Sequence, residues 1–482
     1  MQHKSTCSCS RRHFLRGCGV TLTGFGIASV LPTPLVQHAM AMGTSDRRML
    51  FIFLRGGSDG INMVIPNGDA DYNVTNRPNL YIPPGSSIDL GNGFGRLHPA
   101  LGDLMDGFNA GDMAILHRIG YPNSSQSHFD GQRIWENGDP TQPQLFEGWL
   151  YRYVRDNMVS AGVDLPAMTV QATPPVLMRG DEKFVNVANP DSFDYLDGDP
   201  KRSKYNNAWR NLNQNLIGLE PYRPVLSQTG VKLADTLDTY RSWDQANWHP
   251  KNPNGPNQYL FPVDEITNDD QANPGTPLFS ANAFPFFRSL KVCALSLLES
   301  DGGNTNGTRI AGTQLGGWDL HSNQVPAGDP TGGNHAELMS WLAYGMESLR
   351  LVLSGSAINE PRGYASIWSK TLIATMSEFG RTSIENGSFG TDHAAASAMF
   401  LSGGTVNGGL YNIDNSTWFD GGATPNPLFS RDGRYLEHRT DFRAVFWEIV
   451  RDHMEADPLG VEGIFPGYTA AGLASQELGV IV

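Results

Sequence analysis

Residues 48–54 (RMLFIFL) form a short apolar run that stops at Arg55-Gly56-Gly57-Ser58-Asp59-Gly60. A run of this length, closed by glycines, predicts a buried strand of a parallel sheet feeding a tight loop. Residues 97–108 follow a different period, with Leu101, Leu104, Met105 and Phe108 at helical spacing and Pro99 in the first turn. Residues 113–117 (MAILH) predict a second strand, so the order is strand, helix, strand, the grammar of a parallel sheet. Residues 165–304 are less regular, and 247–277 are dense in Pro, Asn and Asp, which predicts a loop-rich insertion or subdomain. Regularity returns at 334–353, where Leu338, Leu342, Met346, Leu349 and Val352 share one helical face. Strands are predicted at 370–376 and 398–401, and a last helix at 440–454 with Thr440 as N-cap. Strands alternating with helices on this scale define an α/β fold.

The first residues carry a different signal. Ser10-Arg11-Arg12-His13-Phe14-Leu15-Arg16 matches the twin-arginine export pattern, and a moderately apolar stretch then leads to Ala39-Met40-Ala41, a small-x-small cleavage site. Residues 1–41 are expected to be a signal peptide and residues 42–482 the mature domain. Pro32, Pro34 and the glycines argue against a membrane anchor spanning about 30 Å of hydrocarbon. The expected route passes a folded chain through the twin-arginine translocase to the periplasm or beyond, with no membrane span in the mature form.

Removal of 1–41 takes away Lys4, Arg11, Arg12 and Arg16 and no acidic residue, so the net charge of −14 becomes −18. Such a balance argues against nucleic acid and anionic membrane surfaces as partners. Cys7, Cys9 and Cys18 leave with the signal and Cys293 remains, which rules out an intramolecular disulfide in the mature chain and the thiolate-rich cofactors, iron–sulfur clusters among them. Oxygen and nitrogen ligands remain, compatible with zinc, manganese, magnesium or calcium.

Four polar clusters follow or adjoin predicted strands, where an α/β sheet places its site. The first is Arg55 to Gly60, whose glycines admit close backbone approach and whose Asp59 is either a cation ligand or a helix cap. The second, residues 123–130, sets Ser124, Ser125 and Ser127 beside His128 and Asp130, the parts of an activated nucleophile or of an ordinary polar loop. In the third, Asp319 and His321 share a side of an extended segment and can bind one metal. The fourth joins Glu378 and Arg381 to the adjacent Asp392-His393, whose side chains diverge. Convergence of the four on one cleft is the economical reading.

The segments FLRGGSDG, SSQSHFDGQRIWENG, GGWDLHSNQ, SEFGRT and GTDHAAASAMFLSGG resemble the bacterial domain of unknown function 1501. That family is in turn distantly similar to the alkaline phosphatase and sulfatase superfamily. The resemblance implies a mixed, mostly parallel sheet between helices and one or two divalent metal ions. It implies metal ligation by Asp59, Asp319, His321, Asp392, His393 and His438, with Glu378 at an expected ligand position, and a nucleophile among Ser58, Ser124, Ser125 and Ser127. No Cys-x-Pro-x-Arg signature is present, which excludes a formylglycine sulfatase.

The implied chemistry is metal-assisted hydrolysis of a phosphate or sulfate ester, on an anionic small molecule or polymer. Ser127 and His128 would supply the attack, and Arg55 or Arg381 would clamp the anionic group. The alternative is a binding protein on a degenerate hydrolase scaffold, in which Trp135, Trp149 and Trp318 stack on a glycan.

Overall fold

The computed structural model describes residues 46–158, 166–181, 184–191, 202–215, 223–255, 258–270, 273–299, 308–360, 362–419 and 426–482. The expected signal peptide lies outside these residues. Twelve strands are described: β1 (Arg48–Leu54), β2 (Val64–Pro66), β3 (Ile88–Asp89), β4 (Gly95–Leu97), β5 (Met113–Gly120), β6 (Ala167–Val170), β7 (Val185–Val187), β8 (Ile310–Leu315), β9 (Thr371–Met376), β10 (Ser397–Gly403), β11 (Gly409–Tyr411) and β12 (Thr440–Asp441). Nine of them form one sheet in the order β11-β5-β10-β9-β1-β8-β6-β7, with β12 also paired to β5, and β2-β4-β3 form a small second sheet.

Within the large sheet β1 runs parallel to β8 and β9, β6 is parallel to β7 and β8, and β11 and β12 are parallel to β5. β10 runs against both its neighbours, β5 and β9. The fold is therefore α/β with a mixed, mostly parallel sheet. One reversed strand has a spatial consequence: the start of β10 lies at the same edge as the ends of β1, β8, β9 and β5.

β1 shows why the sheet is central. Every residue of it is buried, and its side chains alternate between two cores, Leu50, Ile52 and Leu54 on one face and Met49, Phe51 and Phe53 on the other. Each fully buried side chain of this kind contributes roughly 1.5–3 kcal/mol. Helices Phe284–Leu298 and Gly333–Leu353 cover the first face, and Trp149–Asn157 and Phe442–Glu448 the second. Cys293 is buried in the first, where burial pushes its thiol pKa upward. Among the described residues no helix is long and apolar enough to cross a membrane.

Several boundaries differ from expectation for identifiable reasons. The segment beginning at Pro99 starts as a 3-10 helix, Pro99–Leu104, before turning α over Met105–Ala110. Thr440 does not cap the last helix. It pairs with β5, and Asp441 accepts the amide of Arg443 instead, after which Phe442–Glu448 passes into a π turn over Ile449–His453. The region 165–304 contributes β6 and β7 to the main sheet, along with helices Arg202–Gln214, Arg223–Ser242 and Phe284–Leu298.

Asp59 anchors the loop after β1 from below. It caps the short helix Gly60–Met63 and forms an ion pair with Arg77, Oδ2 to Nη1 at 2.7 Å, both side chains being buried. Burial would raise its pKa, but the guanidinium charge and hydrogen bonds outweigh that effect and hold it at about 2. Arg77 also donates to the carbonyls of Thr382 (2.7 Å) and Ser383 (3.1 Å), so the pair ties the β1 loop to the loop after β9. Because the folded-state pKa is depressed, the stabilisation is complete above about pH 4 and is lost as pH falls toward 2. Arg77→Leu should lower stability by about 3 kcal/mol at pH 7, the cost of an unpaired buried carboxylate. Thermal midpoints should show that deficit shrinking as pH falls below about 4. Equal midpoints at neutral pH would refute the role of the pair.

Candidate metal centre

At the carboxyl edge of the sheet, three imidazoles surround one carboxylate. Helix His128–Asn137 brings His128; it starts because Ser127 accepts the Asp130 amide as N-cap and ends where Gly138 takes a left-handed conformation. The loop after β8 brings Asp319 and His321, and the loop entering β10 brings Asp392 and His393. The loop after β9 brings Glu378 and Arg381. Gly56 is required where these loops meet, because its φ is +121° and a Cβ there would lie 2.4 Å from the Asp319 nitrogen.

Each imidazole is held by Nδ1 against an oxygen. His128 Nδ1 lies 2.9 Å from Glu378 Oε1, His321 Nδ1 lies 3.1 Å from Asp392 Oδ1, and His393 Nδ1 lies 2.7 Å from the Gln126 carbonyl. A carbonyl or an ionised carboxylate only accepts, so each Nδ1 carries the proton. The three Nε2 atoms then face Asp319: His128 at 3.3 Å from Oδ2, and His321 and His393 at 3.1 and 3.2 Å from Oδ1. His321 Nε2 is also 2.9 Å from His393 Nε2. In the neutral tautomer these contacts set lone pairs against lone pairs, an arrangement relieved either by a proton on an imidazole Nε2 or by a cation between them. Ligand atoms of His128, Asp319 and His393 all lie within 4.8 Å of one another.

The charge states divide between these two alternatives. Burial favours the neutral form of His393 and lowers its pKa, with the Gln126 and Asp319 contacts opposing. Burial disfavours ionised Asp319, but the Arg381 hydrogen bond at 2.7 Å, the His393 contact and nearby cations bring its pKa to about 2. Glu378 is fully buried, yet the His128 and Gln132 hydrogen bonds keep its pKa below the usual value despite desolvation. His128 responds in the opposite sense, its pKa raised chiefly by the Glu378 hydrogen bond.

The other expected site residues have different partners. Asp59 is taken by Arg77 and by Gln324 (2.8 Å), and is not part of the His128–Asp319–His393 group. Glu378 and Asp392 grip imidazoles through Nδ1. Arg381 is buried, with N–H groups donating to the carbonyls of Gly56, Gly57, Trp318 and Thr391 besides Asp319. Arg55 donates to Gln314 (2.5 Å), Gln132 (2.8 Å) and Glu136 (2.6 Å). Ser127 is a helix cap, Ser58 is buried and hydrogen-bonded to Ser397 at 3.0 Å, and His438 packs against Gly120. Trp135, Trp149 and Trp318 are at most 2% exposed, so their rings are core and do not face a glycan. Sequence reasoning missed Gln126, which acts through its main chain, and Arg434, whose half-exposed guanidinium reaches Asp392 at 3.5 Å.

The chain is thus an α/β protein with a candidate imidazole-rich metal centre at the edge of its sheet. A family model described as a protein of unknown function (DUF1501) matches residues 302–412, which hold Asp319, His321, Glu378, Arg381, Asp392 and His393. No curated protein and no solved structure matches the chain.

Glu378→Gln removes the ionised acceptor that orients His128 and should weaken binding of a zinc-class ion about 10- to 100-fold, measured by competition with a chromophoric chelator. An affinity equal to wild type would rule out this orienting role.

Proposed function

We propose that this protein is an exported hydrolase of phosphate or sulfate esters that works with one divalent metal ion, and that it is a member of the domain of unknown function 1501 family. The observation that carries the reading is the orientation of three imidazoles, each pinned at Nδ1 and each aimed by Nε2 at Asp319. His128, His393 and Asp319 would hold the ion, with His321 Nε2 beside them at 2.9 Å from His393 Nε2. Imidazole nitrogens suit zinc and other borderline transition ions and disfavour magnesium and calcium, which prefer all-oxygen sites. Bound there, the ion supplies Lewis acidity and an acidified water. The engagement of Asp59 with Arg77 favours one ion over the bimetal centre of the alkaline phosphatase and sulfatase superfamily.

The chain's own groups divide the remaining work. Ser127 and Ser58 are committed to a cap and to Ser397, so the nucleophile in this reading is water and not a serine. Arg434, 54% exposed beside Asp392, is the cation placed to meet an anionic ester, whereas the donors of Arg381 and Arg55 serve the scaffold. Arg381 holds Asp319 ionised and fixed in direction. The twin arginines Arg11 and Arg12 support export, and the mature charge of −18 supports an environment other than nucleic acid.

Protein purified without chelator should carry about one equivalent of a zinc-class ion by elemental mass spectrometry and hydrolyse p-nitrophenyl phosphate or sulfate. Asp319→Ala and His393→Ala should lose both. Trace metal at the same level in wild type and variants would overturn the assignment. Lysine at both Arg11 and Arg12 should leave the uncleaved chain in the cytoplasm, read by fractionation; undiminished export would remove the twin-arginine route.

A further inference from the structure

Helix Arg202–Gln214 reverses the usual pattern of a surface helix, which buries its apolar side and exposes its amides. It packs against helix Arg223–Ser242, and the side chains it buries are Asn206 and Asn213, seven residues apart on one face. Asn206 donates to the Ala234 carbonyl at 3.0 Å, and a Cβ added to Gly230 would stand 2.1 Å from the Asn213 amide. The two helices are therefore in close contact along a polar seam. Tyr205, Trp209 and Leu212 recur at i, i+4 and i+7, which sets them in a single stripe. They are 40%, 39% and 61% exposed, and Leu233 of the second helix is 40% exposed. Trp209 is fixed in place, its Nε1 donating to the Gly230 carbonyl at 2.9 Å. Packing within the hairpin thus leaves the apolar stripe open.

Charge singles out the same helix. Residues 201–215 contain Lys201, Arg202, Lys204 and Arg210 and no acidic residue, in a chain where 49 acids outnumber 35 bases. Arg210 pairs with Asp235 (2.6 Å) and Asp238 (2.8 Å) of the second helix, so it serves the hairpin. The other three stand at the N-terminal end, where the helix dipole disfavours cations, so helix stability does not account for them. Lys204 is exposed. Exposed Tyr, Trp and Leu flanked by lysine and arginine suit a helix that lies in the interface of an anionic bilayer, with its apolar side chains at headgroup level and its cations on the phosphates. The net charge of −18 opposes such a surface for the molecule as a whole. Charges more than about 8 Å apart are largely screened in physiological salt, so at contact the local excess of cations decides.

We propose that this hairpin docks the protein on an anionic phospholipid surface, with Tyr205, Trp209, Leu212 and Leu233 set among the headgroups and Lys201, Arg202 and Lys204 on lipid phosphates. The attachment is peripheral and reversible, because the stripe extends over two turns only and no described helix can cross a bilayer. It requires neither the metal centre nor ester hydrolysis.

Sedimentation of the full mature chain with phosphatidylcholine vesicles containing about 30% phosphatidylglycerol should carry protein into the pellet, whereas vesicles of phosphatidylcholine alone should not. Raising salt to about 0.5 M should weaken the attachment. Tyr205→Ser with Leu212→Ser opens the stripe, and Lys201→Gln, Arg202→Gln and Lys204→Gln together remove the cations. Each set should lower the partition coefficient about tenfold, with the thermal midpoint of the protein unchanged. The lipid and salt dependence of the wild-type chain tests the same docking without any substitution. No pelleting with anionic vesicles, equal pelleting with both lipids, or pelleting that either folded variant retains in full overturns the proposal. A dimer in sedimentation velocity that Tyr205→Ser with Leu212→Ser abolishes, in a chain that ignores vesicles, would assign the stripe to a second copy of the chain instead.

Discussion

The feature on which the site depends is the fixing of each imidazole by its Nδ1 hydrogen bond. An unrestrained histidine can present either nitrogen, and a cluster of three would settle into mutual hydrogen bonds with Asp319. Here Glu378, Asp392 and the Gln126 carbonyl take the Nδ1 protons, leaving the three Nε2 atoms directed at one carboxylate. That orientation is enforced in turn. Glu378 Oε1 also accepts from Gly56 N at 2.8 Å and Gln132 at 3.0 Å, and Asp319 is held by Arg381 at 2.7 Å. The outer groups thus determine which atoms the inner ones present.

The sheet makes this possible by delivering the loops together. β1, β8 and β9 are adjacent and parallel, so their ends present Gly56, Asp319 and Glu378 side by side. The ion pair of Asp59 with Arg77 fastens the β1 loop to residues 382 and 383, so the glycine loop and the β9 loop are tied together. Gly56 and Gly57, with positive φ values, allow the first of these loops to pass within contact of Trp318 and Phe379.

Much of the scaffold was readable from the chain because two-sided burial leaves an unmistakable signature. β1 occupies the predicted residues, and the predicted 334–353 helix forms as Gly333–Leu353. Other elements were decided by partners that local pattern cannot reveal. Thr440 and Asp441 both qualify as caps, and pairing of Thr440 with β5 settles the choice. The residue types of the site were also legible, but not their roles. Asp59 carries the right chemistry for a ligand, yet Arg77 lies in an irregular stretch with no periodicity to announce it. Glu378 and Asp392 are indistinguishable in sequence from direct ligands, because orienting a histidine and binding a metal call for the same carboxylate. Gln126 contributes a main-chain oxygen, which any residue type would provide.

The reversed direction of β10 gives the molecule a modular character. Since β9 leaves and β10 enters at one edge, the connecting segment both departs from the site and comes back to it, and antiparallel contacts between Arg381 and His393 clamp its base. Glu378, Arg381, Asp392 and His393 consequently travel on one continuous stretch of chain whose two ends are anchored in adjacent strands. Its tip is held as well, since Glu385 accepts from Asn79 and Leu80 and Asn386 donates to the His321 carbonyl, so the cassette is one braced unit that carries the chemistry of the edge apart from the sheet.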